Sequence, residues 1–178
     1  MPSSTDPSIS HRPPRRPGLA ALIFAVLSIL VLIGFAVWAW FNAPDQVPSH
    51  FGANGQPDGW SSKSEVMAWL VPLGVGIPAL LSIRQIYEKL PLGLVNIPHK
   101  EYWLQRGERD YLFDCLMEFM RITAGACALL FTVSLAQTLD VGMGRSWPEA
   151  LLILPTGVFL VITAIAMWNL LRQLKPET

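Results

Sequence analysis

PDQVPSHFGANGQPDGWSSK, residues 44–63, decides how the rest of the chain is read. It is polar, and it lies between two long apolar runs. Asn54-Gly55 and Asp58-Gly59 are strong turn pairs, because Asn, Asp and Gly tolerate the left-handed backbone of tight turns. Pro48 and Pro57 fix φ and push the residues before them toward extended geometry. A segment of this kind is a compact, shaped loop and not a floppy linker. It contains no cysteine, so no disulfide staples it.

Outward from the loop, both flanks are membrane-like. Gly18–Phe41 gives 24 residues without a charge, where a spanning helix needs about 20. It is longer than the ~7–15 apolar residues of a signal-peptide core, which points to a retained signal-anchor helix. Trp38, Trp40 and Phe41 gather at its far end, where amphipathic aromatics favour the headgroup level. On the other flank Val66–Ile83 is uncharged over 18 residues and carries Pro72, Gly74, Gly76 and Pro78. Proline and glycine are tolerated in spanning helices when neighbours re-satisfy the freed backbone groups, and a kink is expected near Pro78.

Composition agrees. Of 178 residues, 52% are hydrophobic and 15% charged, against about 25% charged in ordinary soluble domains. The mean hydropathy is +0.40. The zero net charge is uninformative, because the charges are sorted along the chain. Residues 1–17, rich in Ser and Pro with Arg12, Arg15 and Arg16, lack the apolar content to order and read as a disordered tail. Arg84 to Arg121 is a charged middle. Pro91 and Pro98 argue against continuous helix in its first part, which is expected to be largely extended. Beyond Gly107, Leu112, Leu116 and Phe119 recur at helical spacing among acidic residues, an amphipathic helix running directly into a third span. Ile122–Leu139 is that span, and Ala150–Leu171 a fourth.

The expected fold is therefore all-α and integral to the membrane: four transmembrane helices, with a structured extracytoplasmic loop between helices 1 and 2. The segments are a cytoplasmic tail 1–17, span 18–41, outer loop 42–65, span 66–83, cytoplasmic segment 84–121, span 122–139, outer turn 140–149, span 150–171 and tail 172–178. Of the thirteen Lys and Arg residues, eleven fall on the side of the termini and the middle segment, and two, Lys63 and Arg145, on the other. The positive-inside rule puts both termini in the cytoplasm and the 44–63 loop outside.

Candidate chemistry is sparse. His50, Asp45 and Asp58 share the outer loop, but their spacing matches no metal-ligand pattern, and His11 and His99 fall on the other side of the membrane. The simpler role for His50 and the aspartates is to hydrogen-bond the turns of the loop. The spans hold no ionisable side chain, which weighs against a proton relay or transporter. Their Ser28, Thr132, Ser134, Gln137, Thr156, Thr163 and Asn169 suit helix–helix hydrogen bonding. Cys115 and Cys127 have no neighbouring His/Asp arrangement and read as packing residues. There is no phosphate-binding glycine loop and no basic, aromatic-interleaved patch for nucleic acid. No catalytic residue, cofactor or metal is expected.

Two stretches carry a resemblance. P-x-x-V-P-x-H-F, then G, then D-G-W-x-S-K in residues 44–63 resembles the signature of bacterial membrane proteins with domain of unknown function 1648. NIPHKEYWL, residues 96–104, resembles that group's cytoplasmic motif, usually closer to N-L-P-N-K-x-Y-W-L, with His99 here in place of the usual Asn. Ala43 likewise replaces a usual Leu. The resemblance covers roughly residues 20–110. It implies a bacterial plasma-membrane protein related to the N-terminal part of SdpI-type immunity proteins, which protect against a secreted peptide toxin and can sequester a transcriptional repressor. The motif match marks Pro44, Pro48, His50, Gly55, Asp58 and Lys63 outside, and Asn96, Pro98, Lys100, Tyr102 and Trp103 inside, as candidates for binding a partner. The expected partners are the lipid bilayer, an extracellular peptide ligand and a cytoplasmic regulatory protein, and not nucleic acid. A non-enzymatic immunity or signalling role is the leading reading. A small transporter or transporter subunit, and a membrane enzyme working at His50 and Asp58, are the alternatives.

Overall fold

The structure, a computed structural model, describes residues 18–52, 55–91 and 93–176. The tail expected to be disordered, Asn54 of the first turn pair, Leu92 and the last two residues lie outside the described residues. In chain order the elements are α1 (Leu19–Asn42), β1 (Gln46–Phe51), β2 (Pro57–Ser62), α2 (Lys63–Ser82), α3 (Arg84–Lys89), α4 (Lys100–Gln105), α5 (Arg109–Gly142) and α6 (Glu149–Gln173). Four helices, α1, α2, α5 and the Leu151–Gln173 part of α6, are long and apolar enough to cross a membrane.

The all-α expectation needs one correction. β1 and β2 pair antiparallel, with Gln46 opposite Ser62 and Pro48 opposite Trp60, and the register is irregular around His50. Pro48 tolerates this because a two-stranded hairpin has free edges where its missing N–H costs no ladder bond.

α5 is the axis of the bundle, touching every other helix and β1. What composition divides into an amphipathic helix and a span is one rod of 34 residues. α1 lays a stripe of small residues on the bundle: Ala21, Ala25, Ser28, Ala36 and Ala39 are buried at helical spacing together with Leu32. Small side chains let apolar helices approach closely, which matters where the surroundings are as apolar as the interface. α2 uses the same device. A Cβ at Gly74 would sit 2.8 Å from Leu32 Cδ2 and 2.9 Å from the Phe131 side chain. The flanks facing away stay apolar and open: Val31, Val37, Leu80, Leu160 and Ile165 are all exposed. α6 is the least covered of the four.

α2 begins at Lys63, three residues before the uncharged run. Ser62 caps it, its hydroxyl accepting from the Glu65 N–H at 3.2 Å. The helix then runs unbroken through Pro72 and Pro78 to Ser82 and turns at Ile83 into α3.

The segment around Pro91 and Pro98 was expected to be largely extended, and this too is corrected. It holds α3 before the first proline and α4 after the second, because each proline interrupts the helical path without preventing a short turn beside it. α4 closes with Gly107 at φ 73°, the Gly107 N–H bonding the Leu104 carbonyl and the Glu108 N–H the Trp103 carbonyl. That paired closure needs a left-handed residue, which glycine supplies without strain.

Candidate functional site

The motif residues gather at the two ends of the bundle. At one end the hairpin lies over the C-terminal ends of α1 and α5 and the N-terminal ends of α2 and α6. Val47 and Pro48 are fully buried and anchor β1 on the helices. Pro44 is half-buried against α5, where a Cβ on Gly142 would meet its ring at 3.4 Å. Gly55, with φ 72°, turns the loop onto α6, where a Cβ would meet Leu152 at 2.9 Å.

Lys63 ties this end together. Its ammonium donates to the carbonyls of Trp40 at 3.1 Å and Ala43 at 3.0 Å. These lie at the C-terminus of α1, where the last carbonyls have no intrahelical partner and the helix dipole is negative. Lys63 also lies 3.7 Å from the fully exposed Asp45 carboxylate. Its backbone N–H bonds the Asp45 carbonyl at 2.9 Å, closing the hairpin base.

His50 and Asp58 meet across the strands, Nδ1 to Oδ1, at 2.5 Å. Their side chains are 72% and 55% exposed, so the pair holds the hairpin in water and not in a core. Gly59 faces His50, where a Cβ would crowd the histidine Cβ at 3.1 Å. Among the described residues no group of three or more His, Cys, Asp or Glu could hold a metal ion.

Under the hairpin is a cavity of about 330 Å³, lined by Pro48, Ser49, Phe51, Val66, Leu70, Leu152 and the α5 side chains Ser134, Gln137 and Thr138. Gln137 is buried, and its amide donates to the Leu151 carbonyl at 2.9 Å, joining α5 to the first turn of α6. A second cavity of about 320 Å³ continues toward α2, sharing Ser49, Val66 and Leu70 and adding Ser61, Glu65, Trp69, Leu73 and Phe131.

The other end is closed. Trp103 is 1% exposed, and its indole N–H donates to the Leu174 carbonyl at the end of α6, 3.0 Å away. The Tyr111 hydroxyl donates to the Gln173 carbonyl at 3.0 Å and its ring packs on Trp103. Val95, Ile97, Leu112, Phe113 and Leu170 complete the cluster. Trp103, a candidate for direct partner contact by sequence, is therefore an internal strut. Tyr102 is half-buried, bonded through its hydroxyl to Arg106 at 2.9 Å. Lys100 reaches back to the Val95 carbonyl at 3.4 Å, Pro98 is half-buried, and Asn96 is exposed. His99 caps α4 with φ 56°, a left-handed conformation that Asn adopts more readily than His.

Sequence reasoning passed over Arg84. It bonds Glu88 at 2.5 Å and Asp114, and approaches Asp110 at 3.4 Å, pinning α3 to α5. Burial works against its charge, but the hydrogen bonds to Glu88 and Asp114 outweigh that and hold the guanidinium above its ordinary pKa. Tyr111 was passed over as well, since nothing in its spacing tells a carbonyl-binding tyrosine from a core one. The cap at Ser62 had a signal, the S-x-x-E of residues 62–65.

Comparison with known proteins adds one family and one relative. Residues 27–76 match the model of the family described as Domain of unknown function (DUF1648). The match runs from within α1 through the hairpin into α2, and stops before the 96–104 motif. Over 141 residues the chain is 23% identical to an uncharacterized protein of Archaeoglobus fulgidus, covering 71% of this chain and 75% of that protein. No solved structure matches.

Proposed function

We propose that this is a multi-pass plasma-membrane protein of non-enzymatic, immunity or signalling type. Its hairpin end faces outward and receives an extracellular peptide ligand. Its closed end, with Asn96 and Tyr102 at the surface, holds a cytoplasmic regulatory protein. The carrying observation is the asymmetry of the two ends: an open cavity of about 330 Å³ under the hairpin, against a packed platform opposite. The charge distribution supports the orientation, since among the described residues the platform side carries eight Lys and Arg residues (Arg84, Lys89, Lys100, Arg106, Arg109, Arg121, Arg172 and Lys175) against Lys63 and Arg145 at the hairpin side. The His50–Asp58 pair is exposed at the hairpin tip and is not enclosed in a cleft, which supports a binding role over a catalytic one.

Thiol labelling tests the orientation. Ser61→Cys should react with an impermeant reagent on intact cells, and Gln105→Cys only after lysis. The reverse pattern would overturn the reading. Thr138→Trp, which fills the cavity, tests the role: it should abolish protection of cells against a secreted peptide toxin while leaving the labelling unchanged.

The polar lining of that cavity favours a second reading, a small transporter or transporter subunit. Ser134, Gln137 and Thr138 are the kind of neutral polar groups that line a solute site. Solute uptake into sealed vesicles, blocked by Thr138→Trp, would favour it over the binding role.

A further inference from the structure

The second cavity has an order that the ligand-binding reading does not use. Glu65, Trp69 and Leu73 all line it. They are four residues apart on α2, so they stack on one face of that helix, one turn above the next. Read downward from the hairpin, the stripe is a carboxylate, then an indole, then an aliphatic chain. Phe131 of α5 faces it, and Ser49 and Ser61 border the upper mouth. Trp69 is 71% exposed and Leu73 47%, so the stripe opens sideways, away from the bundle.

No cationic side chain lines this cavity. The neighbouring Lys63 ammonium is engaged by the α1 carbonyls. Among the described residues the Glu65 carboxylate has no ion-pair partner. A groove with a free carboxylate at its top and apolar walls below suits a molecule with a cationic head and an apolar tail aligned with the helices.

We propose that the Glu65–Trp69–Leu73 groove is a binding site for an aminophospholipid of the phosphatidylethanolamine class. This rests on the membrane-spanning reading, which sets α2 across the bilayer with its first turn at headgroup depth. The primary ammonium donates to the Glu65 carboxylate, a charge-assisted hydrogen bond that a quaternary choline cannot make. The Ser49 and Ser61 hydroxyls supply donors for the phosphate, and one acyl chain lies along Trp69, Leu73 and Phe131. A purely anionic headgroup finds no cation there and meets Glu65 instead.

Native mass spectrometry of the detergent-solubilised protein tests this. Phosphatidylethanolamine, phosphatidylcholine and phosphatidylglycerol are added at equal concentration. The wild type should retain phosphatidylethanolamine about tenfold better than either other lipid, the discrimination of one hydrogen bond to a charged group. Glu65→Gln should remove that preference, and Glu65 is exposed enough for the variant to fold. Trp69→Ala should weaken retention of all three lipids alike. Equal retention of the three by the wild type, or a preference that survives in Glu65→Gln, would overturn the assignment. So would displacement of the lipid by an equimolar apolar peptide with a C-terminal lysine, which would give the groove to a peptide. None of these failures would alter the thiol-labelling pattern, so the lipid site and the spanning reading fall separately.

Discussion

Two helix C-termini at opposite ends of the bundle are closed in opposite ways. The end of α1 is met by a cation, the Lys63 ammonium on the carbonyls of Trp40 and Ala43. The end of α6 is met by neutral donors, the Trp103 indole and the Tyr111 hydroxyl on the carbonyls of Leu174 and Gln173. Both answer the same need, because the last carbonyls of a helix lack intrahelical partners. The surroundings explain the choice. Lys63 keeps 19% of its side chain in contact with solvent, so its charge is not fully desolvated. Trp103 is 1% exposed, and a charge there would carry a heavy desolvation cost that an indole N–H avoids. The hairpin end thus adds a charged clamp to the burial of Val47 and Pro48 beside an open cavity, while the platform end closes its helix terminus inside a packed aromatic cluster.

The comparison breaks first, if it breaks, at Trp103. Trp103→Ala removes a fully buried indole and leaves the Leu174 carbonyl unmet, so it should cost about 3–5 kcal/mol. Detergent-phase thermal and urea denaturation would measure this. A loss below about 1 kcal/mol would mean that the platform is not held by burial.

Lys63→Met should cost less, about 1–3 kcal/mol, because it keeps the stem and loses the donations to two carbonyls. Hydrogen exchange should localise the change to the end of α1 and the hairpin base. Protection lost evenly over the chain would argue against the clamp.

At the hairpin tip, His50→Ala or Asp58→Ala should cost only about 0.2–1 kcal/mol, since the pair stands in water. The same bond in a buried setting would be worth about 1–3 kcal/mol. The exposed geometry lowers that, and a double-mutant cycle on the two residues would separate the values. A coupling well above 1 kcal/mol would show that the hairpin shields the pair.

The smallest effect should come at His99, and it should be a gain. His99→Asn places a residue that tolerates φ near +56° where histidine is strained, raising stability by about 0.5 kcal/mol. A lower melting temperature for this variant would mean that the imidazole makes a contact worth more than the strain.

Much of the fold was legible in the sequence, for a physical reason. An uncharged run such as Gly18–Phe41 is readable one residue at a time, because transfer into an apolar surrounding is a local property. Turn chemistry at Gly55 was readable for the same reason, whereas Asp58-Gly59, a turn pair by its residue types, lies inside β2, where pairing with β1 overrides the local preference. The hairpin was less so: a six-residue strand containing Pro48 and His50 shows no alternation, and its pairing depends on contacts with α5. The candidate site was legible as a set of residues and not as roles. Lys63, Trp103 and His99 all stood in motifs, yet nothing in their spacing separates a helix-end clamp, a buried strut and a strained cap.

By itself the sequence determined that the chain has four apolar helices of spanning length, that its charges are sorted between alternate connections, and that a turn-rich segment separates the first two helices. These follow from composition and near-neighbour geometry. Only the tertiary structure decided that α5 is the common axis, that the hairpin roofs a cavity while the opposite end is filled, and which side chains close α1 and α6. Those outcomes depend on partners 20 residues apart for Lys63 and Ala43, and 71 apart for Trp103 and Leu174. Contacts of that range exist only once the helices have packed, so no local pattern encodes them.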